Sequence, residues 1–163
     1  MPKRSSLEPA CSLKCAIEIE NNKKWKAKKA KWTEELMTHK DYVKKLQPIF
    51  NKYIRFRDRN KNCISCDKVL AKKYDAGHCF PAGHYANLRF DEDNVHGQCV
   101  ECNQHLHGNQ AEYLLRLADR IGEMCYARLL KARNIDSKYS IIELKAMIIK
   151  YREKIKMIEG KTS

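Results

Sequence analysis

The sequence has no apolar stretch long enough for a signal peptide or a membrane-spanning helix. Its N-terminal MPKRSSLEPA gives way to polar, lysine-rich sequence. That predicts no membrane partner and a chain that works in a reducing cytoplasm. No internal repeat is present, which excludes a solenoid or repeat array. Acidic residues are in short supply, 20 Asp+Glu against 33 Lys+Arg, for a formal net charge of +13. A deficit of that size points to a polyanionic partner such as DNA or RNA. Binding to acidic lipid has only one basic helix in its favour, and that helix lacks a broad apolar face.

Eight cysteines in 163 residues would suit a secreted disulfide scaffold. The four central ones are spaced otherwise, as Cys63-x2-Cys66 and Cys99-x2-Cys102. Two such knuckles about thirty residues apart present four sulfurs to one tetrahedral ion, so they predict a structural Zn2+. Four thiolates fill its shell and leave no open position for substrate. A redox C-x-x-C would need a thioredoxin-like setting, which is missing. Cys11-x3-Cys15 reads either as half of a second zinc site or as two free thiols, with no second pair nearby.

The rest is read as mostly helical. Residues 1–40 form a basic N-terminal helical arm, with its helix over 21–39. There Trp25, Trp32 and Leu36 share a side, and Lys24, Lys28 and Lys31 lie among the lysines free to follow a phosphate backbone. Residues 41–62 form a helix leading into the core, capped by Asp41, with a stripe of Tyr42, Leu46, Ile49, Tyr53 and Phe56. Pro48 predicts a kink or a restart. Arg55, Arg57 and Arg59 add positive charge for DNA beside the cysteines. Residues 63–109 form the core: Gly77, Pro81, Gly83 and Gly97 punctuate a hairpin with strands near 73–79 and 94–99, and a helix runs from about Cys102 to Gly108. Residues 110–163 form a C-terminal helical region. Leu114, Leu117 and Ile121 mark one helix ended by Gly122; Met124–Arg133 forms another with Cys125 in its core. Ser140 caps a last helix with the stripe Ile141, Leu144, Ile148, Tyr151, Ile155 and Ile158. That last apolar helix is the candidate homodimer contact.

Five of the six histidines fall within or just after the cysteine-bounded stretch, with Asp75, Asn94 and Asn103 among them. DAGH, a long loop, then N-x4-C-x2-C-N resembles the HNH, or ββα-metal, nuclease module stapled by zinc. More widely, IRFRDRNKNCISC, YDAGHC and LRFDEDNVHGQCVECNQHLHGN, with the helical tail, resemble the phage recombination protein family NinG, also called Rap. The fold implied is α+β: a small zinc-stapled ββα-metal core flanked by N- and C-terminal helices. The activity implied is a structure-specific endonuclease that acts on branched DNA, such as Holliday junctions and D-loops, in the cytoplasm of the bacterial host.

By that resemblance His78 is the general base, a residue whose ordinary pKa suits proton abstraction. Asn94 is the central Asn that holds the base-bearing loop. Asn103 matches the metal-binding Asn of phage resolving endonucleases of the endonuclease VII type, and would take Mg2+ or Mn2+. The motif's usual acidic or His ligand before the base is here Gly77. Either Asp75 replaces it through a strand bulge, or His107 joins Asn103 one helical turn on, a nitrogen ligand that shifts the preference toward Mn2+, Ni2+ or Zn2+. His84 with Arg89 is the expected phosphate contact. His96 is expected in a tight loop, bonded to backbone; His105 is expected at the surface, and His39 lies outside the module. A non-catalytic zinc-containing nucleic-acid-binding protein fits the charge and cysteines equally, but has no use for the DAGH…N…CN set.

Overall fold

The apolar stripe of the last helix meets a second stripe on the helix that precedes the hairpin. In this computed structural model, which describes residues 12–160, the chain divides after Thr38 into two compact units. The first carries α1 (Leu13–Glu35), capped by the Ser12 hydroxyl, which accepts from the Cys15 N–H at 3.3 Å. The helix begins at Leu13, ahead of the expected residue 21, because nothing after that cap breaks it. No residue of α1 is buried. Trp25 and Trp32, two turns apart, meet edge to face at 6.2 Å, and the Lys28 ammonium sits 4.8 Å above the Trp32 ring. Cys11 lies outside the described residues.

In the second unit, α2 (His39–Asp58) buries Tyr42, Leu46, Phe50, Tyr53 and Ile54. Opposite it, α5 (Ile141–Gly160) buries Leu144, Ile148, Tyr151 and Ile155. The Phe50 ring bridges the two, 4.9 Å from Tyr151 and 5.6 Å from Phe90. Phe50 and Ile54 take the places expected of Ile49 and Phe56. Pro48 sits inside one helical span, with no restart there. Asp41 lies in the first turn of α2, where its charge suits the helix dipole, because the helix starts at His39. Ser140 and Glu143 form a reciprocal cap on α5, with Ser140 N–H to Glu143 Oε2 at 2.7 Å and Glu143 N–H to Ser140 Oγ at 3.2 Å. Since α2 covers the α5 stripe, that stripe is not available as the expected homodimer contact. The outer face of α5 keeps Ile142, Ile149 and Met157 exposed.

Strands β1 (Asp75–His78) and β2 (Val95–Gln98) pair antiparallel, Asp75 opposite Gln98 and His78 opposite Val95, with no bulge between. Residues 79–94 join them, through a short 3-10 turn at Ala86–Leu88. On one side of this ribbon lie α3 (Gln110–Ile121) and α4 (Glu123–Ala132), hinged at Gly122, whose φ of 84° favours glycine. Tyr113, Leu117 and Leu129 pack there with Ile64, Cys79, Phe80 and Leu88. Cys125, expected in the core, is only half-buried. Glu92 ties loop to helices: it accepts from Tyr53 Oη at 2.8 Å and from Lys154 Nζ at 2.6 Å. Among the described residues no helix is long and apolar enough to cross a membrane.

Candidate functional site

The sulfurs of Cys63, Cys66, Cys99 and Cys102 all lie within 4.8 Å of one another. Cys66 Sγ and Cys99 Sγ are 3.8 Å apart. A tetrahedral zinc with bonds of about 2.3 Å sets its sulfurs about 3.8 Å apart, whereas a disulfide needs about 2.05 Å. The four residues therefore fit a zinc ion and can hold one. Asp67, in the left-handed region at φ 56°, turns the first knuckle. Backbone N–H groups aim at the sulfurs: Cys99 N to Cys63 Sγ at 3.3 Å and Cys102 N to Cys99 Sγ at 3.4 Å. Burial works to raise the Cys63 thiol, but the N–H groups of Cys99, Cys66 and Ser65 outweigh it and bring it down to about 7. That favours the thiolate a metal needs.

Both knuckles hold one end of the ribbon that carries His78: Cys99 follows β2 directly, and Ile64 N–H donates to Gly97 O at 3.1 Å. The His78 Nε2 lies 2.9 Å from the Arg89 carbonyl oxygen. A carbonyl only accepts, so Nε2 bears the hydrogen and Nδ1 keeps its lone pair. Burial, joined by the nearby Arg89 charge, holds the imidazole below the usual histidine pKa against the opposing pull of that hydrogen bond. His78 is thus a neutral imidazole with one basic nitrogen. Asn94 fixes the loop that supplies the carbonyl: its Oδ1 accepts from Phe80 N–H at 2.8 Å, and its Nδ2 donates to Phe80 O at 3.0 Å and Leu88 O at 2.9 Å. It is fully buried.

Asp75 and Asn103 are brought together. Asp75 Oδ2 accepts from Asn103 Nδ2 at 2.9 Å and from Gln104 Nε2 at 2.7 Å. His78 does not join them through a bulge. An unbulged strand sends successive side chains to opposite faces, so Asp75 leaves with Gly77 and His78 with Ala76. A Cβ on Gly77 would collide with Gln98 Oε1, while Gly97, opposite Ala76, faces the Asp58 side chain of α2. The position where the motif usually carries a metal ligand thus has no room for a side chain.

The helix expected from Cys102 to Gly108 is a short π-turn over Glu101–His105. His107, Gly108 and Asn109 follow with φ of 50°, 92° and 41°, which ends it. His107 is exposed and beyond that turn, so it does not share a helical face with Asn103. Gln98 Nε2 pins the reversal, donating to Gly108 O at 2.6 Å and Ser65 Oγ at 2.7 Å.

Arg57 is not the backbone-gripping cation expected. Its guanidinium turns inward, to Asp58 at 2.8 Å through both Nε and Nη2, to Glu92 O at 2.8 Å and to Val95 O at 2.8 Å. Asp58 is wholly buried and also accepts from Gly97 N–H at 2.8 Å. Burial alone would raise its carboxyl, yet the Arg57 bonds and charge, with the Gly97 N–H, hold it at about 2. His96 sits in β2 rather than in a loop, with Nε2 3.1 Å from Asp93 O and Nδ1 3.0 Å from Arg57. Burial first, then the Arg57 charge, push it down to about 3. Arg89 donates to Gln47 Oε1 at 3.2 Å and Ala82 O at 3.0 Å. His84, His105, Lys24, Lys28, Lys31 and Arg59 are exposed, and Arg55 is half-buried. Asp58, Gln98 and Glu92 are the organising polar residues that sequence reasoning passed over. A lone acid inside the cationic run RFRDRN was the signal for Asp58.

The chain matches the family model described as "Bacteriophage Lambda NinG protein" over residues 3–161. It is 34% identical to Protein ninG of Escherichia phage lambda over a 172-residue alignment that covers 95% of this chain and 84% of that protein. With the Salmonella phage P22 protein of the same name the identity is 33%, with the same coverage. With that of Escherichia phage 933W it is 37% over 122 residues, 75% of this chain and 60% of the other, so the chain spans less than two thirds of that relative. No solved structure matches.

Proposed function

The chain belongs to the NinG family of bacteriophage proteins, and on that premise we propose that it is a metal-dependent DNA endonuclease cleaving branched recombination intermediates such as Holliday junctions and D-loops. The observation that carries this reading is His78: a neutral imidazole whose one protonated nitrogen is tied to the Arg89 carbonyl. With Nε2 fixed as the donor, Nδ1 is left as the acceptor that a general base requires. His78 Nδ1 takes a proton from water, the oxygen attacks phosphorus, and the P–O bond to the departing 3′ oxygen breaks. Asn94 holds the loop so that the imidazole keeps its tautomer. Asp75 and Asn103 supply oxygen donors of the kind Mg2+ or Mn2+ prefers, on the face of β1 away from His78, where such an ion would offset phosphate charge on the bound DNA. The zinc frames the ribbon and takes no part in the chemistry. A net charge of +13 supports recognition through phosphates rather than bases.

A second reading, a zinc-containing nucleic-acid-binding accessory protein that cleaves nothing, is favoured by one observation. The Asp75–Asn103 pair and His78 leave opposite faces of β1. The two readings separate in one assay: a four-way junction, a flap and a linear duplex incubated with Mg2+ or Mn2+. Strand cleavage of the branched substrates that is lost in Asp75→Ala and Asn103→Ala supports the nuclease. Tight binding without any cleavage in either metal supports the accessory protein.

A further inference from the structure

Beside the loop that holds His78 lies a cavity of about 300 Å3, bounded by the first turns of α2, by residues 82–90 and by the connector before α5. Its walls carry three cationic side chains, Lys40, Arg89 and Lys138, and no carboxylate. No ion pair or hydrogen bond occupies the ammonium of Lys40 or Lys138 among the described residues. The Arg89 guanidinium is held at the wall by its bonds to Gln47 and Ala82. One side is aromatic: Tyr139 packs against Phe90 with centroids 5.8 Å apart, and its hydroxyl is anchored on Asn87 O at 2.6 Å. At Gly83 the wall is open, with nothing within 4 Å of the place a Cβ would take. Two acids of the flanking segments are engaged elsewhere, Asp91 by Arg128 and Glu143 by Ser140.

We propose that this cavity takes one unpaired nucleotide of a DNA strand, its base against Tyr139 and its phosphate between Lys40 and Lys138. The volume sits at the small end of ligand pockets, which run from roughly 300 Å3 upward, and so admits a single nucleotide-sized group. An aromatic platform rimmed by unneutralised cations is the chemistry that holds single strands without reading sequence. Duplex bases stay stacked and cannot enter, so the site responds to strand that has left the helix, as at a branch point. Arg89 links the two places: its carbonyl orients His78 and its side chain lines the cavity. The inference rests on the nucleic-acid reading of the protein, not on cleavage.

The test uses the full zinc-loaded chain without Mg2+ or Mn2+, so that strand scission plays no part. The probe is an oligothymidylate carrying one 2-aminopurine, with a duplex of equal length and 2-aminopurine riboside monophosphate as the other arms. Binding is expected to quench the oligonucleotide probe. Tyr139→Leu should bind but lose the quench, whereas Tyr139→Phe, which loses only the bond to Asn87, should keep it. The double variant Lys40→Ala/Lys138→Ala should weaken single-strand binding by about tenfold and duplex binding by less than about twofold. Equal losses on both substrates, or a quench unchanged in Tyr139→Leu, overturns the proposal. So does equal affinity for the free mononucleotide, which would make the cavity a small-molecule site. Failure of cleavage in the junction assay leaves these outcomes unaffected.

Discussion

His78 Nε2 and the carbonyl oxygen of Arg89 are 2.9 Å apart, a bond that spans the loop between the strands and decides which imidazole nitrogen can accept a proton. Because burial holds the His78 pKa below 6.5, the neutral form already prevails at neutral pH. The cleavage rate is expected to be flat above about pH 6.5 and to fall only on the acid side of it. A pH–rate profile under single-turnover conditions checks this. An acid limb centred above pH 7 would contradict it.

Arg57 and Asp58 form a buried pair whose loss leaves an uncompensated charge. Arg57→Ala or Asp58→Asn is expected to cost about 3–5 kcal/mol in urea unfolding. The salt dependence of DNA binding by refolded Arg57→Ala should keep its slope, since the Arg57 guanidinium is turned inward to Asp58, Glu92 O and Val95 O. A slope lowered by about one unit would restore Arg57 to the DNA-binding surface.

His96 is buried and neutral, faced by Arg57, Asp58 and Arg120, with its folded pKa near 3 against an ordinary 6.5. A depressed folded pKa means that the unfolded chain binds the extra proton between those values. The contribution is therefore whole above about pH 6.5 and is lost as pH falls toward 3, at about 1.4 kcal/mol per pH unit. Asp58, held at about 2 from 3.8, adds a second loss at lower pH. His96→Gln should flatten the stability curve between about pH 6 and 4, read from denaturant midpoints. An unchanged slope would place the acid sensitivity elsewhere.

Gln98 Oε1 already occupies the space that a Cβ on Gly77 would need. Gln98 is itself buried and tied to Ser65 and Gly108. Gly77→Ala is expected to destabilise by about 1–3 kcal/mol. Gly83→Ala, with open space around it, should change stability by less than about 1 kcal/mol in either direction. Thermal midpoints of the two variants decide it.

Native mass spectrometry should find one zinc on the four central cysteines. Cys99→Ser or Cys102→Ser should lose it, along with hairpin structure, because binding an ion of this kind is folding energy. Retention of stoichiometric zinc in both variants would contradict the assignment.

Much of this was readable from the residues because it is local. The α5 stripe and its Ser140–Glu143 cap lie within one span, and the C-x-x-C spacing points to a metal-holding cluster whatever the fold does. The hairpin follows from the glycines and proline that punctuate residues 77–97. What escaped was set by distant partners or by single backbone angles. Arg57 reads as surface charge until Val95 and Glu92 come to it from across the chain. The helix after Cys102 looks continuous because nothing in QHLHGN declares that His107 is left-handed. His39 has no local reason for notice, yet α2 brings it to the Tyr139 carbonyl at 2.8 Å. The direction of Asp75 turns on whether β1 bulges, and register belongs to the pair of strands, not to either alone.

The most direct test is single-turnover cleavage of a four-way junction in Mg2+ or Mn2+ by wild type and His78→Ala, at equal zinc content and equal junction affinity. The expected result is a rate lower by about 10²–10⁴-fold in the variant with binding unchanged. Equal rates, or no cleavage by the wild type on any branched substrate, would contradict His78 as the base.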